Sequence, residues 1–189
     1  MDESSPAKSF PVDRRGFLKL SATTLAALSL IAGALNGPNP PTSIPFKPGV
    51  LTPAEVIILS KLAEVVLPTE PPYPSVQETR LVERVDRELQ FHTLAFVGDV
   101  KAALLLIEFG GWLHGTPGRF SHWERSRQEV RVEQLAHSWL EVEKVAFGAL
   151  RGLLLFLYYT DEHTWAHIHY EGPLWPVRKL PEASNVVES

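Results

Sequence analysis

Sixteen prolines in 189 residues are too many for an uninterrupted helical array and too few for a disordered chain, so their positions decide which stretches can fold. They concentrate in the run Asn36 to Pro48, in the loop holding Pro68, Pro71, Pro72 and Pro74, and in the tail from Pro173. Helices must stop at each cluster. After the first cluster, Leu51 to Val56 reads as a helix start, with Thr52 as N-cap, Pro53 at the first helical position, Glu55 closing a capping box and Leu51 stapling onto Val56. Ile58, Leu62, Val65 and Val66 then recur at helical spacing to Leu67, where Pro68 ends the run.

The same signals return along the chain. Ser75 with Glu78 predicts a second helix to about Phe91, with Leu81, Val82, Val85 and Leu89 inward. Thr93 predicts a cap for a third through Phe109, whose run Leu104 to Ile107 is apolar all round and suits the centre of a bundle. After the glycine-rich loop 110–118, Ser121 with Glu124 and Ser138 with Glu141 predict two more starts, the latter helix ending near Tyr159, and a short helix runs from Asp161 to about Ile168. No segment shows the strict alternation of a half-buried strand. The expected fold is an all-α compact bundle of about five helices plus a short C-terminal one. It divides into 1–34 as a leader, 35–50 as a Pro-rich linker, 51–172 as the helical domain and 173–189 as an extended tail.

Charge and composition remove several functions. Eighteen Lys and Arg against 22 Asp and Glu leave no basic excess for phosphate, so nucleic acid is not an expected partner. With no cysteine, thiolate zinc sites, iron–sulfur clusters, thioether-linked haem and cysteine nucleophiles are excluded together. His163, His167 and His169 fall in one short stretch, and the first two, four residues apart, share a helical face as metal ligands would, with Asp161 or Glu162 as a carboxylate. Surface histidines around a helix end packed by Trp165 fit the pattern better, because three ligands from one short segment leave the supporting shell unprovided. Gly148 and Gly152 flank Arg151 in an otherwise apolar run, which reads as a buried helix approached closely by a neighbour rather than a membrane span. Ser121, Ser126 and Ser138 have His122 and His137 near in sequence without forming a nucleophile elbow, and the glycines after residue 109 follow a helix, where a dinucleotide cradle would follow a strand. No catalytic residue, no cofactor site and no metal ligand is expected in this chain.

The N-terminal leader carries the most specific motif. Arg14 and Arg15 are followed by Phe17, Leu18 and Lys19 and then by a weakly apolar stretch, Leu20 to Leu35, rich in Ala, Ser and Thr. This resembles a twin-arginine export signal, with Asp13 where Ser or Thr is frequent. Ala32 and Ala34 bracket a small-x-small cleavage site, so cleavage is expected after Ala34, leaving a periplasmic protein. Left uncut, the segment would tether the chain to a membrane.

Two further stretches carry a family resemblance. Leu51 to Glu55, continuing through Leu62 and Ala63 to Val66, Leu67 and Pro68, resembles the opening of the gluconate 2-dehydrogenase subunit 3 family. Arg119 to Ser121, Leu150 to Leu153, Tyr158 to Asp161, Trp165, Ile168 and Tyr170 to Pro173 are similar to its C-terminal half. Thr69 and Glu70 stand where an acidic residue often follows the proline directly, and the His-rich tail is a second departure. The resemblance implies a small accessory subunit beside a flavin-dependent dehydrogenase of the glucose-methanol-choline type, and in some cases beside a cytochrome subunit. FAD and haem would then belong to those partners, and the twin-arginine export machinery would be a further partner. Among the aromatics Trp123, Trp139, Trp165, Tyr170 and Trp175, Trp139 and Trp165 are expected in the core, while Tyr170 and Trp175 are the interface candidates. The competing readings are a small metal-dependent enzyme using the C-terminal histidines and a free-standing extracytoplasmic binding module.

Overall fold

The computed structural model describes residues 44–68 and 70–172. Every regular element among them is helical: α1 (Pro53–Val66), α2 (Leu81–Leu89), α3 (Leu94–Phe109), α4 (Arg125–Ala136), α5 (Glu141–Tyr159) and α6 (Glu162–Trp165), with 3₁₀ turns at Gly110–His114, Phe120–His122 and Ala166–Ile168. The protein is an all-α bundle. No helix of the described residues is long and apolar enough to cross a membrane.

α1 starts as its sequence dictates. The Thr52 hydroxyl accepts from the Glu55 amide at 3.3 Å and the Glu55 carboxylate accepts from the Thr52 amide at 2.7 Å, satisfying two orphan donors reciprocally. It buries Val56, Ile57, Ile58, Leu59, Leu62 and Ala63, a wider surface than a single stripe, because it packs on α2, α3 and α4 together. α5 is the other organiser. Its Ala146, Phe147, Leu150, Leu154, Leu157 and Tyr158 face α2, α3 and α4. The central run of α3 is buried at Leu104, Leu106 and Ile107, whereas Leu94 at its start is 90% exposed.

The segment entering α1 is held by a carboxylate. Buried Asp86 of α2 accepts from the amides of Gly49 (2.7 Å), Val50 (3.0 Å) and Leu51 (2.7 Å), and Lys101 of α3 donates to the Val50 carbonyl at 2.8 Å. Burial pushes the Asp86 carboxyl pKa up, but the three amides and the Lys101 charge outweigh it and leave it below its ordinary value. Part of the expected linker, residues 44–50, is therefore packed, with Ile44, Phe46 and Val50 against the core.

Three helix starts depart from the expected ones. The Ser75 and Glu78 box does form, with the Ser75 amide donating to Glu78 at 2.6 Å, but it closes only a turn. Val76 and Thr79 are drawn into the core there, Arg80 takes the left-handed conformation (φ 48°), and α2 begins at Leu81. Ser121 and Ser138 cap nothing in the predicted way, since each hydroxyl is bonded to a buried glutamate, and α4 and α5 begin at Arg125 and Glu141. The glycine face of α5 is also not buried. Gly148, Arg151 and Gly152 are exposed, and a Cβ on either glycine would meet nothing within 4 Å. Gly148 and Gly152 point away from Leu150 and Leu154, and no neighbour approaches them among the described residues.

Candidate functional site

The densest polar cluster lies where the 110–123 loop, α4 and the start of α5 converge. Fully buried Glu108, at the end of α3, accepts from Arg119 Nε at 2.8 Å, from the Ser121 amide at 2.9 Å and from the Ser121 hydroxyl at 2.7 Å. Fully buried Glu143, on the first turn of α5, accepts from Arg131 Nη2 at 2.6 Å and from the Ser138 hydroxyl, and is bonded to His114 Nε2 at 2.8 Å. Burial alone would raise the Glu143 pKa. Hydrogen bonds from Ser138, Arg131 and His114 with the Arg131 charge reverse this and hold the carboxylate ionised below its ordinary value. Arg131 is itself 1% exposed, and its Nε and Nη1 have no hydrogen-bond partner among the described residues.

Glycines make room for this cluster. A Cβ at Gly110 would sit 2.6 Å from Arg131 Nη2 and 3.1 Å from Glu143 Oε1, so only glycine lets the ion pair close against the end of α3. Gly111 and Gly118 do the same for Trp123, whose ring a Cβ at either would meet at 2.6 Å, and Arg127 covers that ring at 4.4 Å from its centroid. Both glutamates have both oxygens engaged. Each of these carboxylate oxygens thus accepts at least one hydrogen bond from within the fold. The cluster clamps the loop to α3, α4 and α5.

The C-terminal corner is more open. Asp161 caps α6 and is held by Arg84 of α2 at 2.7 Å, while its other oxygen is bonded to His163 Nδ1 at 2.6 Å. That hydrogen bond and the Asp161 charge raise the His163 pKa. His163, Glu78 and Tyr73 border a shallow cavity of about 660 Å³ against Pro71, Pro72 and Pro74. The three histidines are not brought together: His163 pairs with Asp161, His167 rests against Tyr73 with ring centroids 5.5 Å apart, and exposed His169 adopts φ 54° beyond the last 3₁₀ turn. α6 ends at Trp165, so the four-residue spacing of His163 and His167 does not place them on one continuous α-helical face. Among the described residues no group of three or more His, Cys, Asp or Glu could hold a metal ion.

Of the residues singled out from sequence, Arg14, Arg15, Phe17, Leu18, Lys19, Ala32, Ala34 and Trp175 lie outside the described residues. Tyr170 is 46% exposed and stands edge-on to Trp165 at 5.2 Å. Trp165 is half-buried, with its indole N–H donating to the Tyr159 carbonyl. Trp139, expected in the core, is 78% exposed. The reason is local: Ser138 turns inward to Glu143, and the next side chain points away. Comparison of the chain with protein families, with curated proteins and with solved structures finds no match.

The buried cluster was missed from sequence because its ion pairs join residues 11 and 12 positions apart across loops. One signal was present. Glu108 ends an apolar helix centre and Arg131 sits between Val130 and Val132, and a charge amid apolar neighbours is buried only with a partner.

Proposed function

We propose that the chain is a non-catalytic small subunit that escorts a flavin-dependent dehydrogenase of the glucose-methanol-choline type through twin-arginine export and stays with it in the periplasm. The reading rests on the sequence resemblance, and one contact is in keeping with it. The two stretches that carry the resemblance lie far apart in the chain but meet in space: the Tyr158 hydroxyl shares its single proton between the carbonyl of Pro68, in the first stretch, at 3.1 Å and that of nearby Pro74 at 2.7 Å. Burial, with the neighbouring Tyr159, Tyr73, Asp161 and Glu78, pushes the Tyr158 pKa up to about 12, so it remains a donor throughout the physiological range. FAD would reside in the dehydrogenase and haem in a cytochrome subunit where one is present. This chain's share is binding surface, with Tyr170 and the exposed Trp139 and Phe156 as the aromatic anchors.

The test is co-expression with a flavin-dependent dehydrogenase encoded beside this chain and lacking its own leader. Arg14→Lys with Arg15→Lys keeps the charge but removes the planar five-donor guanidinium groups. Both proteins should then accumulate in the cytoplasm and periplasmic dehydrogenase activity should disappear. Active dehydrogenase in the periplasm of the double variant would overturn the escort role.

A further inference from the structure

A groove of about 430 Å³ lies between α1, the turn before α2 and α2 itself, a volume typical of small-molecule sites. Its lining changes character along α1, where Val56 and Ile57 come first and Ser60, Lys61 and Glu64 follow. Ile44, Phe46, Val76 and Val82 extend the apolar part, and Gln77, Arg80 and Glu83 the polar part. Gln77 Nε2 donates to Glu64 Oε1 at 3.3 Å, so the polar residues of α1 and of the turn meet. An apolar trough with a polar rim matches an amphiphile.

The rim charges decide which kind. Glu64 accepts from Gln77 at one carboxylate oxygen and from Lys61 at the other, and Glu83 accepts from Arg87 at one and from Arg80 at the other. Every rim carboxylate oxygen is thus engaged, while the cations keep donors in hand. Lys61 directs one of its three N–H groups to Glu64, and Arg80 meets Glu83 through Nε and Nη2, which leaves Nη1. Three cations, Lys61, Arg80 and Arg87, stand against the two carboxylates of Glu64 and Glu83, an excess of one positive charge. The Ser60 hydroxyl donates to the Val56 carbonyl and adds no charge. The charged capacity left at the mouth therefore suits an anionic acceptor.

We propose that the groove binds a single-chain amphiphile with a carboxylate head, its alkyl chain in the trough and its carboxylate at Lys61 and Arg80. The α1 wall from Val56 to Glu64 rises about 12 Å. An extended chain advances about 1.2 Å per bond, so roughly ten carbons match that length. The site is built by this chain alone and needs no dehydrogenase beside it.

The test is titration of the intact 189-residue chain with decanoate below its micelle concentration, read by calorimetry and by amide chemical shifts. Shifts should gather at Ile57, Ser60, Val76 and Val82, and octanoate, two methylenes shorter, should bind on the order of tenfold more weakly. Lys61→Met with Arg80→Met should weaken decanoate on the order of tenfold with unchanged circular dichroism, and Lys144→Met on α5 should leave its affinity as it was. Decyltrimethylammonium, with the same chain and the opposite charge, should bind more weakly than decanoate. Equal affinity for the two head groups, or for decanoate with and without Lys61 and Arg80, would overturn the proposal. So would no binding at all, or shifts centred on Phe91 and Leu94, which are 80% and 90% exposed and would take up any alkyl chain without a site.

Discussion

Two carboxylates show how differently the halves of this bundle are held. Asp86 fixes the entry to α1 by accepting three consecutive backbone amides, a local task in which the partners need no charge of their own. Glu143 fixes the 131–143 corner through a buried guanidinium, a hydroxyl and an imidazole drawn from three different segments. In the first, loss of the acid leaves the amides of exposed Gly49 and half-buried Val50, which can find water, and only that of Leu51 buried. In the second, loss of the acid strands a cation in the core, where desolvation is uncompensated. A buried ion pair therefore adds little net stability as a pair, while removal of either member is costly.

The largest expected effect breaks the second region. Glu143→Gln leaves Arg131 buried without its counter-charge and should lower stability by about 3–5 kcal/mol, read as a shift of the urea midpoint. Glu143→Met together with Arg131→Met should recover much of that loss, because a satisfied apolar pair replaces a stranded charge. A double variant as unstable as Glu143→Gln would mean that the pair is itself a strong net stabiliser.

Asp86→Asn sharpens the comparison through pH. Asp86 and Glu143 both have folded pKa values below their ordinary ones, so each contributes stability that is full above the unfolded pKa and is lost as pH falls through the folded value. Asparagine removes the charge assistance and one acceptor oxygen, which should cost about 2 kcal/mol at pH 7. Urea unfolding across acid pH should then show the variant losing less stability than the parent below about pH 4, with the two curves converging. Parallel curves would show that the Asp86 charge is not what holds residues 49–51.

The same contrast explains what could be read from the sequence. The all-helical fold, the α1 cap, the start of α3 at Leu94 after Thr93 and the inward faces of α2 follow from signals within one or two helical turns, and the structure contains them. The starts of α4 and α5 were misplaced because Ser121 and Ser138 look like caps locally but serve glutamates brought to them by tertiary folding. Asp86 was hidden for a related reason: a carboxylate on an amphipathic helix reads as a solvated charge until the chain it binds, 35 to 37 residues earlier, is in place. At the C-terminus the spacing of His163 and His167 assumed a continuous helix, whereas the chain tightens into a 3₁₀ turn after Trp165.

The smallest expected effect has the opposite sign and concerns a face that neither carboxylate organises. Gly148 and Gly152 sit inside the 19-residue α5, both exposed, and added Cβ atoms would meet nothing within 4 Å. Glycine in a helix interior carries extra backbone entropy in the unfolded chain, so replacement by alanine at helical φ and ψ should stabilise by roughly 0.5–1 kcal/mol per site. Gly148→Ala with Gly152→Ala should raise the melting temperature above that of either single variant. If the isolated chain gains stability but binding of the dehydrogenase proposed above as its partner weakens, the open glycines would serve close approach of that proposed partner to α5. If both gain equally, that face stays in solvent and the contact that the proposed function requires would have to lie elsewhere, with Tyr170 and Trp139 the next aromatic positions to test.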